Sequence, residues 1–220
     1  KGHYDRALGW YKKALTVFEK VLGTEHSATA TTYDNIAGIY GSKGDYDEAL
    51  GWYKKALIIR EKVLGTEHPD TATTYNNLAM VYYSKGDYDR ALEWYKKALT
   101  VFEKVLGTEH PNTAATYNNV AAVYHSKGDY DEALEWCNKA LVIREKVLGT
   151  EHPDTATTYN NIAAACHSKG DFERAVEFYN KALAICEKLL GMEHPNTVAT
   201  RNNIAAVYEK MGGLPPDEAS

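Results

Sequence analysis

A basic excess, long apolar runs and paired cysteines are all missing from this 220-residue sequence. Thirty acidic residues against 25 basic ones leave a formal net charge of −5, which disfavours a surface that tracks nucleic-acid phosphates or an anionic membrane. No apolar run approaches the ~18 to 20 residues needed to span a bilayer, and the opening KGHYDRAL has none of the character of a secretory leader. The three cysteines are odd in number and show no C-x-x-C spacing, which argues against both a disulfide framework and a zinc site. Nucleophile-elbow, P-loop and H-E-x-x-H patterns are absent too, so no catalytic residue, cofactor or metal ligand is assigned. These features point to an ordered, non-enzymatic protein of cytoplasmic type.

What the sequence does contain is repetition. The phrase EKVLGTEHPDTA at 61–72 recurs almost unchanged at 19–30, 103–114, 145–156 and 187–198, always at a step of 42 residues. One unit, taken from 70 to 111, carries two amphipathic patterns. Tyr75, Leu78, Ala79 and Tyr82 share one helical face; Tyr88, Ala91, Leu92, Tyr95, Ala98, Leu99, Phe102 and Leu106 share another. Between them, SKGDY supplies Gly86 for a left-handed residue past the first helix and Asp87 as a cap for the second. A turn this tight makes the two helices antiparallel neighbours.

The repeated phrase is therefore punctuation. Gly65, Gly107, Gly149 and Gly191 end each long helix; Pro69, Pro111, Pro153 and Pro195 stand where the next begins. Ser27 and Ala28 replace Pro and Asp in the first copy, which predicts a looser start there. The histidines of this phrase, His26, His68, His110, His152 and His194, stand one repeat apart, too far to share a metal, and are read as capping residues.

The expected architecture is all-α: an α-α superhelix of ten helices in one solenoid over 1–213. It comprises a lone helix at 4–22, repeats at 28–69, 70–111, 112–153 and 154–195, a lone helix at 196–211, and a tail at 214–220. Because the chain opens inside a repeat, it reads as a segment of a longer array. Gly212, Gly213, Pro215 and Pro216 stop or pause the pattern at its other end. Alternation of TVFEK with IIREK and VIREK suggests an 84-residue duplication. Cys137, Cys166 and Cys186 replace packing residues of sister repeats and are read as core filling, with a Cys137–Cys166 bridge open only if their helices adjoin. Trp10, Trp52, Trp94 and Trp136, with Phe178 in the last copy, are read as packing between repeats. The paired lysines beginning at 12, 54 and 96 are read as a solvated face.

Tyr75, Leu78, Ala79, Tyr82, Gly86, Tyr88, Ala91, Tyr95 and Ala98 fall at the spacing of the tetratricopeptide repeat, and the chain resembles that family throughout. Its longer second helix, together with REKVLGTEHPDTA and NNLA, is similar to the 42-residue variety of kinesin light chains. The resemblance implies a scaffold whose first helices line a concave groove for a protein or peptide segment.

Helical geometry selects the face that would line it. With Tyr75, Leu78, Ala79 and Tyr82 turned inward, Thr73, Asn76, Asn77, Met80, Tyr83 and Ser84 turn away. Across repeats this gives two amide columns: Asn35, Asn77, Asn119, Asn161 and Asn203, beside Asp34, Asn76, Asn118, Asn160 and Asn202. An amide both donates and accepts, so such a ladder suits the backbone of an extended peptide, although either column could instead bond a neighbouring helix. Selectivity would come from the variable slots, Gly41, Tyr83, His125, His167 and Glu209 in one and Gly38, Met80, Ala122, Ala164 and Ala206 in the other. His125 and His167 could make a pH-sensitive contact. The family's basic clamp for terminal carboxylates is not matched, since only Arg201 and Lys210 are basic on this face. The competing expectation is end-to-end self-association of near-identical units.

Overall fold

The computed structural model describes residues 2–213; the expected tail at 214–220 lies outside the described residues. Ten helices follow one another: α1 Gly2–Val21, α2 Ser27–Lys43, α3 Tyr46–Val63, α4 Pro69–Ser84, α5 Tyr88–Val105, α6 Pro111–Lys127, α7 Tyr130–Val147, α8 Pro153–Lys169, α9 Phe172–Leu190 and α10 Pro195–Met211. No strand occurs among the described residues. The described residues cluster into two compact units, 2–108 and 109–213.

In the first unit α2 packs on α3 and α4 on α5 as antiparallel pairs, with α1 against α2 and α3 against α4. The second unit pairs α6 with α7 and α8 with α9, joins α7 to α8 and closes with α10 on α9. The pair turns follow from local chemistry. Gly86 adopts φ +79°, and the Asp87 N–H reaches back to the Tyr82 carbonyl at 2.9 Å, a left-handed close that a side chain at position 86 would strain. Asp87 then accepts from the Arg90 N–H at 3.3 Å, whereas Asp45 and Asp129 make no such bond and cap by position alone.

The histidines begin the first helices, as their spacing suggests. His68 Nδ1 accepts from the Asp70 N–H at 3.1 Å, and His110, His152 and His194 do the same two residues on. His26 does so too, accepting from Ala28 at 3.1 Å in the same extended backbone conformation, so the start without proline is not looser than the others. The cap is supplied by the histidine. Proline only removes an N–H that has no helical partner.

Packing between successive pairs is read from the first helices, which are buried on two sides. Thr71, Ala72, Thr74, Tyr75, Leu78, Ala79, Val81 and Tyr82 of α4 are all buried. Tyr75 donates to Glu61 of α3 at 2.7 Å while its ring lies 5.5 Å from that of Trp94 in α5, so one side chain ties three helices. Tyr33 and Tyr159 repeat the arrangement with Glu19 and Trp52, and with Glu145 and Phe178. Trp52, Trp94 and Trp136 each lie against a tyrosine of their own helix pair, while Trp10 is exposed. The second lysine of each pair is not merely solvated: Lys55 and Lys97 lie 4.3 and 4.2 Å from the Trp52 and Trp94 ring centres. At the surface, Lys62 meets Glu25 and Lys104 meets Glu67 in the first unit, and Lys146 meets Glu109 and Lys188 meets Glu151 in the second. The same long-helix lysine thereby grips the preceding linker at every step.

Candidate functional site: the first-helix faces

What remains uncovered on each inner first helix is one narrow stripe. On α4 it consists of half-buried Thr73, Asn76, Asn77 and Tyr83, exposed Met80 and exposed Ser84. The two amide columns do not share a fate. Asn77, Asn119 and Asn161 stay half open on their helices, and Asn35 and Asn203 are exposed. In the neighbouring column two members make contacts between helix pairs. Asp34 pairs with Arg60 of α3 at 2.7 Å and also receives the Thr74 hydroxyl of α4 at 3.4 Å. Asn160 Oδ1 accepts from Thr200 of α10 at 3.4 Å, and Asn118 is buried with an Oδ1 that has no hydrogen-bond partner. Asn76 is half-buried and Asn202 exposed.

Arg60 and Arg144 are residues that sequence reasoning did not single out. Each is buried at the end of a second helix. Arg60 donates to the Asp70 main-chain carbonyl at 2.5 Å and to the Thr74 hydroxyl at 3.0 Å; Arg144 donates to the Asp154 carbonyl and the Thr158 hydroxyl, both at 2.7 Å. The electrostatics of the two sites differ because Asp34 is replaced by Asn118 in the later copy. Burial pushes the Asp34 carboxyl up to about 6, against the opposing pull of Arg60 and Thr74. Burial lowers the Arg144 pKa from its usual range, with Asp154 opposing. The available signal lay in the repeat columns: Asp34 is the sole acid in its column, and Arg60 and Arg144 alternate with Phe18 and Phe102 in theirs.

The variable slots carry the relief of the face. In the first unit Gly38 and Gly41 open a hollow of about 200 Å³ floored by Tyr53 and Val81 and edged by Met80. In the second unit the corresponding slot is filled by His125, whose Nε2 lies 3.0 Å from Ser168 Oγ, and by His167; the two rings pack on Tyr130 and Phe172. A further cavity in the second unit lies beside Thr157, Asn160 and Cys186. Cys137 and Cys166 share one apolar cluster, and all three cysteines are free and buried. Among the described residues, no group of three histidine, cysteine or acidic side chains is arranged to hold a metal ion, and no helix is long and apolar enough to cross a membrane.

Comparison with known proteins places this geometry. The tetratricopeptide repeat profile matches at 1–57, 29–104, 70–136, 112–188 and 169–215. A search of curated proteins finds no match. Among solved structures, BtubC (BKLC) from P. vanneervenii is 25% identical with a TM-score of 0.81, the alignment covering 95% of this chain and 84% of that one. Repeats of a kinesin light chain-like protein of Podosopora anserina, themselves nearly identical to one another, are 28% identical with a TM-score of 0.72 over 85% of this chain and 89% of theirs. The paired helices, the glycine turns and the matched repeats together make this chain a member of the tetratricopeptide repeat family, with the all-α solenoid fold of its kinesin light chain-like relatives.

Proposed function

We propose that the protein is a non-catalytic scaffold that binds a peptide or protein segment along the faces of its first helices. The observation that carries this reading is the amide stripe. Asn77, Asn119 and Asn161 remain half open on helices whose other sides are buried, and each can meet a peptide N–H or C=O regardless of the peptide's side chains. Met80, Tyr83, His125 and His167 flank the stripe with varied shape, which suits selection among segments. In the neighbouring column, Asp34 and Asn160 serve this reading indirectly, by bonding the next helix pair within their own unit. The three free buried cysteines fit a reducing, cytoplasmic setting.

The test is selection from a displayed peptide library on the intact chain, followed by affinity measurement with Asn77, Asn119 and Asn161 all changed to alanine. Selected segments should bind the folded triple variant at least tenfold more weakly. Undiminished affinity would remove the first-helix faces as the binding surface.

End-to-end self-association is the second reading, which the near identity of successive repeats supports. Solution mass measured against concentration separates the readings, since assembly predicts growth and simple capture predicts a constant value.

A further inference from the structure

Phe18, Arg60, Phe102 and Arg144 occupy one position of the repeat near the end of the second helix. Arg60, Phe102 and Arg144 are buried there. Each of these four puts a large planar group at that position; the fifth copy, Cys186, has only a thiol. Beside Cys186 the second unit holds a cavity of about 260 Å³, lined among others by Thr157, Asn160, Ile185, Leu189 and Asn196. Apolar protein cavities of about 150 Å³ are large enough to take up a benzene ring.

Charge decides what kind of planar group fits. The arginine copies carry an acid ten residues on, Asp70 and Asp154, and Arg60 also meets the Asp34 carboxylate. Phe102 and Cys186 are instead followed at that spacing by Asn112 and Asn196. Asn160 stands where Asp34 does, and its Oδ1 is already engaged by Thr200. No charged side chain lines the cavity, so a guanidinium entering it would be desolvated without a counter-charge, while a neutral ring would meet Ile185 and Leu189.

We infer that this cavity binds an uncharged aromatic side chain presented by a partner segment. Exposed Thr157 and half-buried Asn160 of α8 contribute the first-helix face to its lining, and the inference rests on the binding reading given above. The ring occupies in the last copy the place that Phe102 fills from within the chain. Substituting Cys186→Phe would therefore supply the missing group internally.

Toluene is the probe, titrated into the intact chain with methyl-labelled Ile, Leu and Ala and followed by NMR. Saturable shifts are expected at Ile185, Leu189 and Ala156, with none at Ile36 and Ile59, and they should vanish in the Cys186→Phe variant. Methylguanidinium, the charged planar control, should produce no saturable shift. Where Cys186→Phe does not fold, Cys186→Leu fills the same space and should weaken toluene binding at least fivefold. Absence of saturation by toluene, equal binding of methylguanidinium, or persistence of the shifts in the filled variants would overturn the assignment. Saturation by toluene together with full segment capture by the triple asparagine variant would uphold the ring site and discard the first-helix reading; capture without toluene saturation would do the reverse.

Discussion

Arg60 holds Asp34 at 2.7 Å with both side chains about nine-tenths buried, while Arg144, 84 residues on, sits in the equivalent place with Asn118 where the aspartate would be. The two copies of the duplicated unit have thus diverged at one atom pair in the contact between helix pairs. The first is a buried ion pair. The second is a buried cation bound only to a carbonyl and a hydroxyl.

The pair should respond to removal of its cation. Arg60→Met leaves the Asp34 carboxylate buried without a counter-charge and is expected to cost about 3 kcal/mol, the usual penalty for orphaning a buried charge. Arg144→Met orphans no charge. It should cost less than about 1 kcal/mol, because the methionine packs in the same space and Thr158 retains its bond to the Asp154 carbonyl. Urea denaturation of both variants at neutral pH measures the contrast, and equal losses would contradict it.

Asp34 also predicts a pH dependence of known sign. Its folded value of about 6 lies above the ordinary 3.8, so the folded chain holds this proton more tightly than the unfolded chain does. The stabilisation is complete below pH about 4 and is lost as pH rises through about 6. Stability of the wild type relative to Asp34→Asn should therefore fall by up to about 3 kcal/mol between pH 4 and pH 7. A difference that stays flat or rises over this window would refute the assignment.

The histidine caps should be worth what their hydrogen bonds imply. Replacing His68 by Ala leaves the Asp70 N–H without its side-chain acceptor and is expected to cost about 1 kcal/mol, whereas His68→Asn, which retains an acceptor, should recover most of it. Thermal unfolding of the two variants checks this.

Filling the glycine hollow separates folding from binding. An alanine Cβ at position 38 would stand 3.5 Å from the Tyr53 hydroxyl, and one at 41 would stand 3.9 Å from Val81, both ordinary contacts. Gly38→Ala and Gly41→Ala together should stabilise α2 by about 1 kcal/mol through helix propensity. The same change narrows the hollow on the first-helix face, so selected segments that use it should bind several-fold more weakly. Unchanged affinity would show that the hollow is not part of the binding surface.

Local chemistry was open to reading. Gly86 after the first helix, Asp87 before the second and His68 ahead of Pro69 act on backbone groups within a few residues, and the helices begin and end where these residues predict. The family resemblance was legible for the same reason, since its motif is a spacing. Where three helices meet, such reading stopped. Asn118 and Asn119 are adjacent and chemically identical, but the first is buried and the second stays half open, a matter of roughly 100° of rotation on one helix. A tryptophan on a second helix meets two neighbours, and only the packed structure shows that the Trp94 ring lies against Tyr75 of its own pair.

By itself, then, the sequence determined the ten helices, their pairing and their repeat, because turns, caps and a 3.6-residue apolar period are interactions of short range along the chain. Tertiary structure alone decided which amides remain accessible, that Asp34 and Arg60 bury their charges together, and that Cys186 stands beside an open space. Those outcomes depend on how closely neighbouring pairs approach, and that distance is set by side chains from three helices at once.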